Sequence, residues 1–393
     1  LDLRLSPEEL AFRGEVTAFI DANLPAGIRR RMEQGAHLEG EDIVAWHKIL
    51  HRQGWAVTNW PPEWGGKDWS PVQRYIFKER LQAAPAPEPL TYNANMIGPV
   101  LIAFGTPAQQ QRFLPAIAAL DQWWCQGFSE PGAGSDLASL KTDARRDGDD
   151  YIIHGQKIWT SQAQFADWMF CLVRTDRRAR KQGGISFLLV DMKTPGITVR
   201  PILSLDNSHY LNEVFLDDVR VPASQLVGQE NDGWTVAKFL LGNERSGIAR
   251  IGLTRGRLER ARRVATQARA SGRKLIEDQR FRERLAEAEI ELQALELTQL
   301  RAITGPLGAP ETAAISSILK LKGTELQQLA ADLLMEAAGP WSQSYQWTGR
   351  DDGEDADWAP GIEPTYFFAR AASIYGGSNE VQRNIIGKSI LGI

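Results

Sequence analysis

The sequence predicts an α+β protein built as three consecutive parts: helical, then β, then helical. Two periodicities and the length carry that prediction. Apolar residues recur at helical spacing to about residue 120, alternate with a period near two from about 123 to 221, and return to helical spacing beyond 233. A chain of 393 residues is too long for one small core and calls for two or three domains. The expected divisions are 1–121, 122–225 and 226–393, the last with an insertion at about 340–364.

The first helix opens at Ser6-Pro7-Glu8-Glu9, where a serine cap, proline at the first position and acids in the first turn coincide. Leu10, Val16, Phe19 and Ile20 continue it, and Asn23-Leu24-Pro25 ends it. A second helix is expected over 41–52. Residues 54–66 hold Trp55, Trp60 and Trp64 among prolines and glycines. This aromatic loop either lines a pocket or packs under helices. Helices follow near 71–84, 94–104 and 107–119, the first broken from the second by Pro85, Pro87 and Pro89.

Strands are expected over 151–158, 168–173, 185–190 and 214–216, with turns at 147–150 and 182–184. Long helices are expected over 231–268, 279–304 and 310–338. Arg250, Arg257, Arg260 and Arg263 fall near one face of the first, which suits a solvated or intersubunit face, or contact with phosphates. Residues 340–364 break the helical pattern with Trp341, Trp347, Trp358 and the acidic run 351–357. Tryptophans are rare in disordered linkers, so this reads as an ordered insertion or a partner-binding loop.

Net charge of −4 argues against nucleic acid as the main partner. Cys125 and Cys171 are the only cysteines, with no C-x-x-C, so neither a disulfide framework nor a thiolate metal site is indicated. His47 and His51 have the spacing of a metal pair on a helix, but no third ligand lies near them in sequence, and no metal site is assigned. No apolar run reaches membrane-spanning length and no signal peptide is visible, so a cytoplasmic protein with no membrane partner is expected.

The most informative stretch runs from residue 127 to 161. It opens Gly127-Phe128-Ser129-Glu130-Pro131-Gly132-Ala133-Gly134-Ser135-Asp136 and closes Gly155-Gln156-Lys157-Ile158-Trp159-Thr160-Ser161. Between them, alternating segments flank a tight Asp147-Gly148-Asp149-Asp150 turn. The residues read as two strands and a hairpin carrying a glycine-rich loop that a flat or anionic ligand can approach. The glycine spacing does not fit a dinucleotide-binding fingerprint.

These strings resemble the flavin-binding middle domain of the acyl-CoA dehydrogenase family, with His154 where the family usually has Asn. A second match is Ile374-Tyr375-Gly376-Gly377-Ser378-Asn379-Glu380-Val381-Gln382-Arg383-Asn384-Ile385-Ile386. The resemblance covers essentially the whole chain. It implies a helical N-terminal domain, a β-barrel-like middle domain and a C-terminal four-helix bundle. It also implies FAD, an acyl-CoA substrate, electron-transfer flavoprotein as acceptor, and α,β-dehydrogenation. By the same resemblance Gln126, Phe128, Ser129, Gly134, Trp159, Ser161, Ser378 and Glu380 serve the cofactor. Trp159 would lie beside the isoalloxazine, and Ser378 and Glu380 at the nucleotide part. Ser135 and Arg245 would serve the substrate.

The reaction needs a base for the α-proton and donors for the thioester oxygen. Many members carry the base between the tyrosine and glycine of a C-terminal Y-E-G-T motif. Here that position is Gly376. Another branch places a glutamate in an x-E-R motif on the first C-terminal helix, and Asn243-Glu244-Arg245 matches it. The resemblance therefore assigns Glu244 as base and the Gly376 amide as a donor to the thioester oxygen.

Two motifs depart from the family. The segment a neighbouring subunit would offer to the flavin, R-x-T-F-G-[KR], reads Ala268-Arg269-Ala270-Ser271-Gly272-Arg273. Its companion Q-x-x-G-G reads Glu336-Ala337-Ala338-Gly339-Pro340. The pattern resembles the larger, catalytic subunits of two-gene enzymes such as pimeloyl-CoA dehydrogenase and bacterial steroid side-chain enzymes. It implies a small partner subunit in an α2β2 assembly and a long, branched or dicarboxylic acyl group. The alternatives are an oxidase or monooxygenase of the same fold, or a non-catalytic scaffold subunit.

Overall fold

The computed structural model describes residues 4–33, 37–244, 247, 249–270, 272–305, 310–343 and 361–392. Helices α1 to α6 span Pro7–Asn23, Ala26–Glu33, Gly40–Gln53, Pro71–Ala83, Gly98–Phe104 and Pro107–Ala119. Strands β1 to β8 span Trp124–Gly127, Asp143–Asp147, Asp150–Lys157, Trp168–Arg174, Ile185–Asp191, Ile197–Ile202, Leu211–Pro222 and Leu226–Val227. Helices α7 and α8 span Gly233–Glu244 and Ile251–Gln267. A small hairpin of β9 (Arg269–Ala270) and β10 (Arg273–Lys274) follows. Helices α9 to α12 cover Gln279–Thr304, Pro310–Ala338, Ile362–Ala369 and Asn379–Ile386.

The local signals work as elementary chemistry dictates. Ser6, Ser70 and Thr106 each close a reciprocal capping box at the start of α1, α4 and α6, with proline next in line. Gly148, at φ 61°, makes the turn joining β2 to β3. The aromatic loop is a packing device at two of its tryptophans. Trp55 and Trp60 are buried. Trp60 donates its Nε1–H to the Ala94 carbonyl at 2.7 Å. Its ring lies where a Cβ on Gly98 would stand, at 1.9 Å.

Two compact units emerge. One comprises 43–68 and 89–244, so it joins α3, α5 and α6 to the whole sheet and to α7. Its sheet runs β6-β7-β3-β2-β4-β5-β8, with β1 parallel to β4. Buried polar side chains tie its helices to its strands. Asn93 donates to the Ile117 and Gln122 carbonyls and accepts from the Trp124 amide. Gln109 reaches the Ser224 and Leu226 carbonyls. His47 is a core residue: its Nε2 lies 3.0 Å from the Ala118 carbonyl, and burial pulls its pKa down to about 4. Cys125 and Cys171 are buried, and burial pushes both thiols up, Cys171 to about 11. Neither is poised as a thiolate.

The other unit comprises 1–42, 69–88 and 245–393. Its core is built on α8, α9 and α10, with Ala261, Val264, Phe281, Leu285, Ala330 and Leu333 among the fully covered residues. Gly252 lets α8 lie against α4, since a Cβ there would fall 2.2 Å from the Glu79 carbonyl oxygen. Arg255 then joins three helices, reaching Glu79 at 3.1 Å and Glu296 at 2.8 Å.

One helix expected from the sequence is two. The run over 231–268 divides into α7 and α8. Gly247 at φ 89° and Arg250 at φ 53° adopt left-handed backbone that no helix continues through. Arg250 is held there by Glu88 at 3.0 Å. Helices α2 and α11 and strands β6 and β8 were not expected. Most of the 340–364 insertion lies outside the described residues. No helix among the described residues is long and apolar enough to cross a membrane.

Candidate active site

The glycine-rich loop, between β1 and β2, and the Trp159 turn, after β3, are carried by strands of one sheet. Gln126 lies on β1, while Phe128 and Ser129 follow its end. Phe128 is buried edge-on against Phe170 and Phe187. Ser129 and the Trp159 turn meet through the backbone, where the Ile158 N–H donates to the Ser129 carbonyl at 2.9 Å. On either side of the turn, the Thr160 amide reaches the Asn212 carbonyl and the Gln162 amide the Tyr210 carbonyl. Asn212 also donates its side-chain amide to the Thr160 carbonyl at 3.0 Å. Held this way, Trp159 sits at φ 60° with its ring 56% exposed. A large ring turned outward from a tethered, left-handed backbone is set to meet something other than its own chain.

An ion pair inside the motif strings fixes the two loops to each other. Lys157 is 0% exposed and donates to Glu130 at 2.8 Å, the Leu172 carbonyl at 2.7 Å and the Phe128 carbonyl at 3.2 Å. Glu130 also accepts the Lys141 and Thr142 amides at 2.6 and 2.9 Å. Burial pushes the Glu130 carboxyl up. The Lys157 ammonium and these bonds outweigh it and hold the group below its usual range. Both residues stand in the motif strings, where neither has an assigned role. Their only signal was membership of the two strings, and nothing in spacing alone pairs them.

Gly134 and Ser135 lie exposed on the loop beyond Glu130. A Cβ at Gly132 or Gly134 would meet no atom within 4 Å, so the chain's own packing does not demand glycine there. A pocket of about 400 Å³ beside this loop is lined by Glu130, Gly132, Lys141, Thr142, His154 and Arg177 among others. His154, in the place of the usual Asn, lies on its wall, 3.4 Å from Asp217.

Glu244 is the last residue of α7. That helix begins against β5, where Gly233 passes so close to Ser186 that a Cβ would fall 2.6 Å from its carbonyl carbon. Val236, Ala237 and Leu240 bury its inner face. Arg245 lies outside the described residues.

Gly376, Ser378 and Glu380 belong to the other unit. Gly376 and Gly377 have φ 64° and 83°. Gln382, which the sequence reading passed over, donates to both their carbonyls at 3.3 and 3.4 Å. Ser378 caps α12, its hydroxyl accepting the Val381 amide at 3.4 Å. Buried Lys320 and Thr324 both donate to the Asn379 side-chain oxygen, which anchors the helix start to α10. Glu380 is exposed in the first turn, and its own amide and Ser378 hold its carboxyl low.

Three family models match in order and together cover nearly the whole chain. They are the acyl-CoA dehydrogenase N-terminal domain over 6–121, the middle domain over 125–219 and the C-terminal domain over 231–391. The chain therefore belongs to the acyl-CoA dehydrogenase family, FAD-dependent oxidoreductases that act on a CH–CH group. It is 38% identical over 388 residues, 97% of each chain, to the acyl-CoA dehydrogenase IpdE1 of Mycobacterium tuberculosis. It is also similar to a chain in the crystal structure of the ChsE4-ChsE5 complex from that organism, at 32% identity and TM-score 0.85, covering 100% of this chain and 99% of that one. The Tcur3481-Tcur3483 steroid acyl-CoA dehydrogenase gives 32% identity and TM-score 0.87, with the same coverage.

The residues present fit a flavin. An outward indole, half-exposed Ser129 and Ser161, and an open glycine loop supply a flat apolar face and hydroxyl and amide donors. Among the described residues no group of acidic, histidine or cysteine side chains could hold a metal.

Proposed function

We propose that this chain is the catalytic, larger subunit of a heteromeric acyl-CoA dehydrogenase. Glu244 is its base and a long, branched or dicarboxylic acyl-CoA, pimeloyl-like in chemistry, its substrate. The observation that carries the reading is the pairing of a glycine at 376, where many relatives place the base, with a glutamate closing α7. FAD, when bound, supplies the hydride acceptor. The chain's own residues do the rest. The Glu244 carboxylate takes the α-proton. The Gly376 N–H, in a loop whose carbonyls Gln382 holds, meets charge developing on the thioester oxygen. Trp159 would cover the flavin ring, while Gln126, Phe128, Ser129, Gly134 and Ser161 would line it. Ser378 and Glu380 serve the nucleotide part, and Ser135 and Arg245 the substrate.

The ChsE4-ChsE5 complex and the Tcur3481-Tcur3483 steroid acyl-CoA dehydrogenase each carry two names, and the second is a steroid enzyme, which supports a partner subunit and a bulky acyl group. Electron-transfer flavoprotein as acceptor, a cytoplasmic location, and the division at 121/122 and 225/226 belong to the same proposal. The rival reading is an oxidase or monooxygenase of this fold. Anaerobic addition of acyl-CoA followed by air separates them: bleaching by acyl-CoA that oxygen reverses only slowly supports dehydrogenation, whereas rapid reoxidation by oxygen, or no bleaching by acyl-CoA, supports the rival. In the same assay Glu244→Gln is expected to keep its flavin and lose about 10²–10⁴-fold in the rate of bleaching. A loss under about tenfold would assign the proton to another base.

A further inference from the structure

Among its described residues, the unit built on α8, α9 and α10 carries a cation with few partners. Arg257, on α8, has five N–H donors, and its guanidinium makes one bond among the described residues, to the Gln327 carbonyl at 3.4 Å. That is long for a charge-assisted bond. The residue retains some exposure, but its guanidinium is crowded by protein, and this burial pushes its pKa down to about 10. The Gln327 carbonyl that it reaches adjoins Gln328, whose side chain donates to the Ser373 hydroxyl at 3.1 Å and whose carbonyl accepts from Arg370 at 3.4 Å. The charges acting on Arg257 are those of Tyr375, Arg250 and Arg370. Two of these are also cations, and each already has a carboxylate: Arg250 has Glu88 at 3.0 Å, and Arg370 has Asp332 at 3.3 Å. Arg370 also lies over the Tyr366 ring at 4.3 Å. Among the described residues, three guanidinium groups therefore share two carboxylates, and Arg257 is the surplus.

A charge left in that state costs stability, and a protein gains nothing from it unless something else completes the pair. The position says what could. Tyr375 adjoins Gly376, the residue read above as the donor to the thioester oxygen, and both are exposed. We infer that Arg257 is a specificity-determining residue that binds a carboxylate on the acyl group, so that the preferred substrate carries a second acid distant from the thioester. This rests on the reading of Gly376 as part of the acyl site. Arg250 and Arg370 raise the local positive potential without competing for the ligand, since their own charges are matched.

The test uses the flavin-loaded complex with its partner subunit. Two acyl-CoA series of matched chain length are compared, one ending in a carboxylate and one in a methyl group. The wild type is expected to favour the carboxylate series in kcat/KM. Arg257→Met should lower kcat/KM for that series by about 10–100-fold, mainly through KM, and change the methyl series by less than about threefold. Arg257→Lys should recover part of the loss. Because the substitution removes a poorly paired buried charge, Arg257→Met should not lower the thermal midpoint. Equal losses in both series, or a lowered midpoint with no change in selectivity, would overturn the inference. A second readout does not depend on turnover. Free adipate should raise the thermal midpoint of wild type and not that of Arg257→Met. If no acyl-CoA is turned over, the dehydrogenase reading fails while the adipate shift still decides the anion site. Absence of any adipate shift together with a preference for methyl-ended substrates refutes it outright.

Discussion

At the scale of single residues, Lys157 and Glu130 show how a motif can be fully quoted and half understood. They stand 27 residues apart, and each looks, in the string, like a surface charge. Only the pairing of β1 with β4, which brings the Leu172 carbonyl and the Glu130 loop to one place, reveals a buried ion pair. Lys157→Met should cost about 3–5 kcal/mol, because it strands a carboxylate that is only 8% exposed. Pairing it with Glu130→Gln should recover a large part of that loss. Urea unfolding of both variants checks this, and a neutral single variant would remove the pair from the account. The Glu130 carboxyl is held below its unfolded value, so the stability it contributes is present above the ordinary carboxylate range. It is lost as pH falls through the depressed folded pKa. The residues that resemblance assigns to the flavin side all sit inside contiguous strings, which is why the sequence could nominate them. Gln382 was not, since its role is to reach back to two carbonyls and the sequence gives no sign of that reach.

At the scale of elements, the break between α7 and α8 matters most for the site. Helical periodicity continues on both sides of residues 245–250, so spacing alone reads through it. Gly247 was the available clue, but an isolated glycine inside a helical pattern is often tolerated. Here φ is 89°, and a Cβ would fall 2.6 Å from the Lys78 side chain. Arg250 takes its own left-handed conformation against buried Glu88. That carboxyl is pushed up by burial, but Arg250 and Lys78 outweigh burial and hold it low. The turn that follows Glu244 is thus set by a glycine, a strained arginine and one ion pair. Gly247→Ala should destabilise the protein by about 1–2 kcal/mol through its backbone alone. It should also lower the rate of flavin reduction while leaving flavin content unchanged, since the proposed base, Glu244, is carried at the end of α7. Stopped-flow reduction alongside the flavin absorbance ratio reads both. Unaltered reduction in a destabilised variant would mean that the turn does not set the position of Glu244.

At the scale of the whole molecule, the helical, β and helical parts expected from chain order match three family models in that order, and the two compact units draw residues from across them. Residues 69–88 group with 245–393, and residues 43–68 with 89–244. Periodicity tells that a helix has an apolar face, not which element covers it. The partner of α4 is α8, about half the chain away, and the link is carried by Gly252 and Arg255, neither of which forms a local motif. The same limit applies to assembly, where only substitutions against a family pattern speak. The β9–β10 hairpin occupies the segment that a neighbour would extend to the flavin, and Arg269 there donates to the Gly272 carbonyl of its own turn at 3.2 Å. Glu336, in the place of the expected glutamine, forms an ion pair with Arg284. An acid and a self-bonded arginine are poor donors for a pyrophosphate, whose strong partners are charge-assisted hydrogen bonds. The proposal that follows is an α2β2 assembly in which the small subunit supplies the missing arginine and glutamine. Co-expressed with that subunit, the complex should sediment as a heterotetramer with about half as many flavins as chains. Expressed alone, the chain should hold FAD weakly or aggregate through its uncovered interface. Sedimentation velocity with simultaneous absorbance at the flavin band measures mass and flavin content together. A fully active homotetramer with one tightly bound FAD per chain would overturn the proposal. It would mean that the hairpin or the Glu336 end of α10 completes a neighbour's site after all.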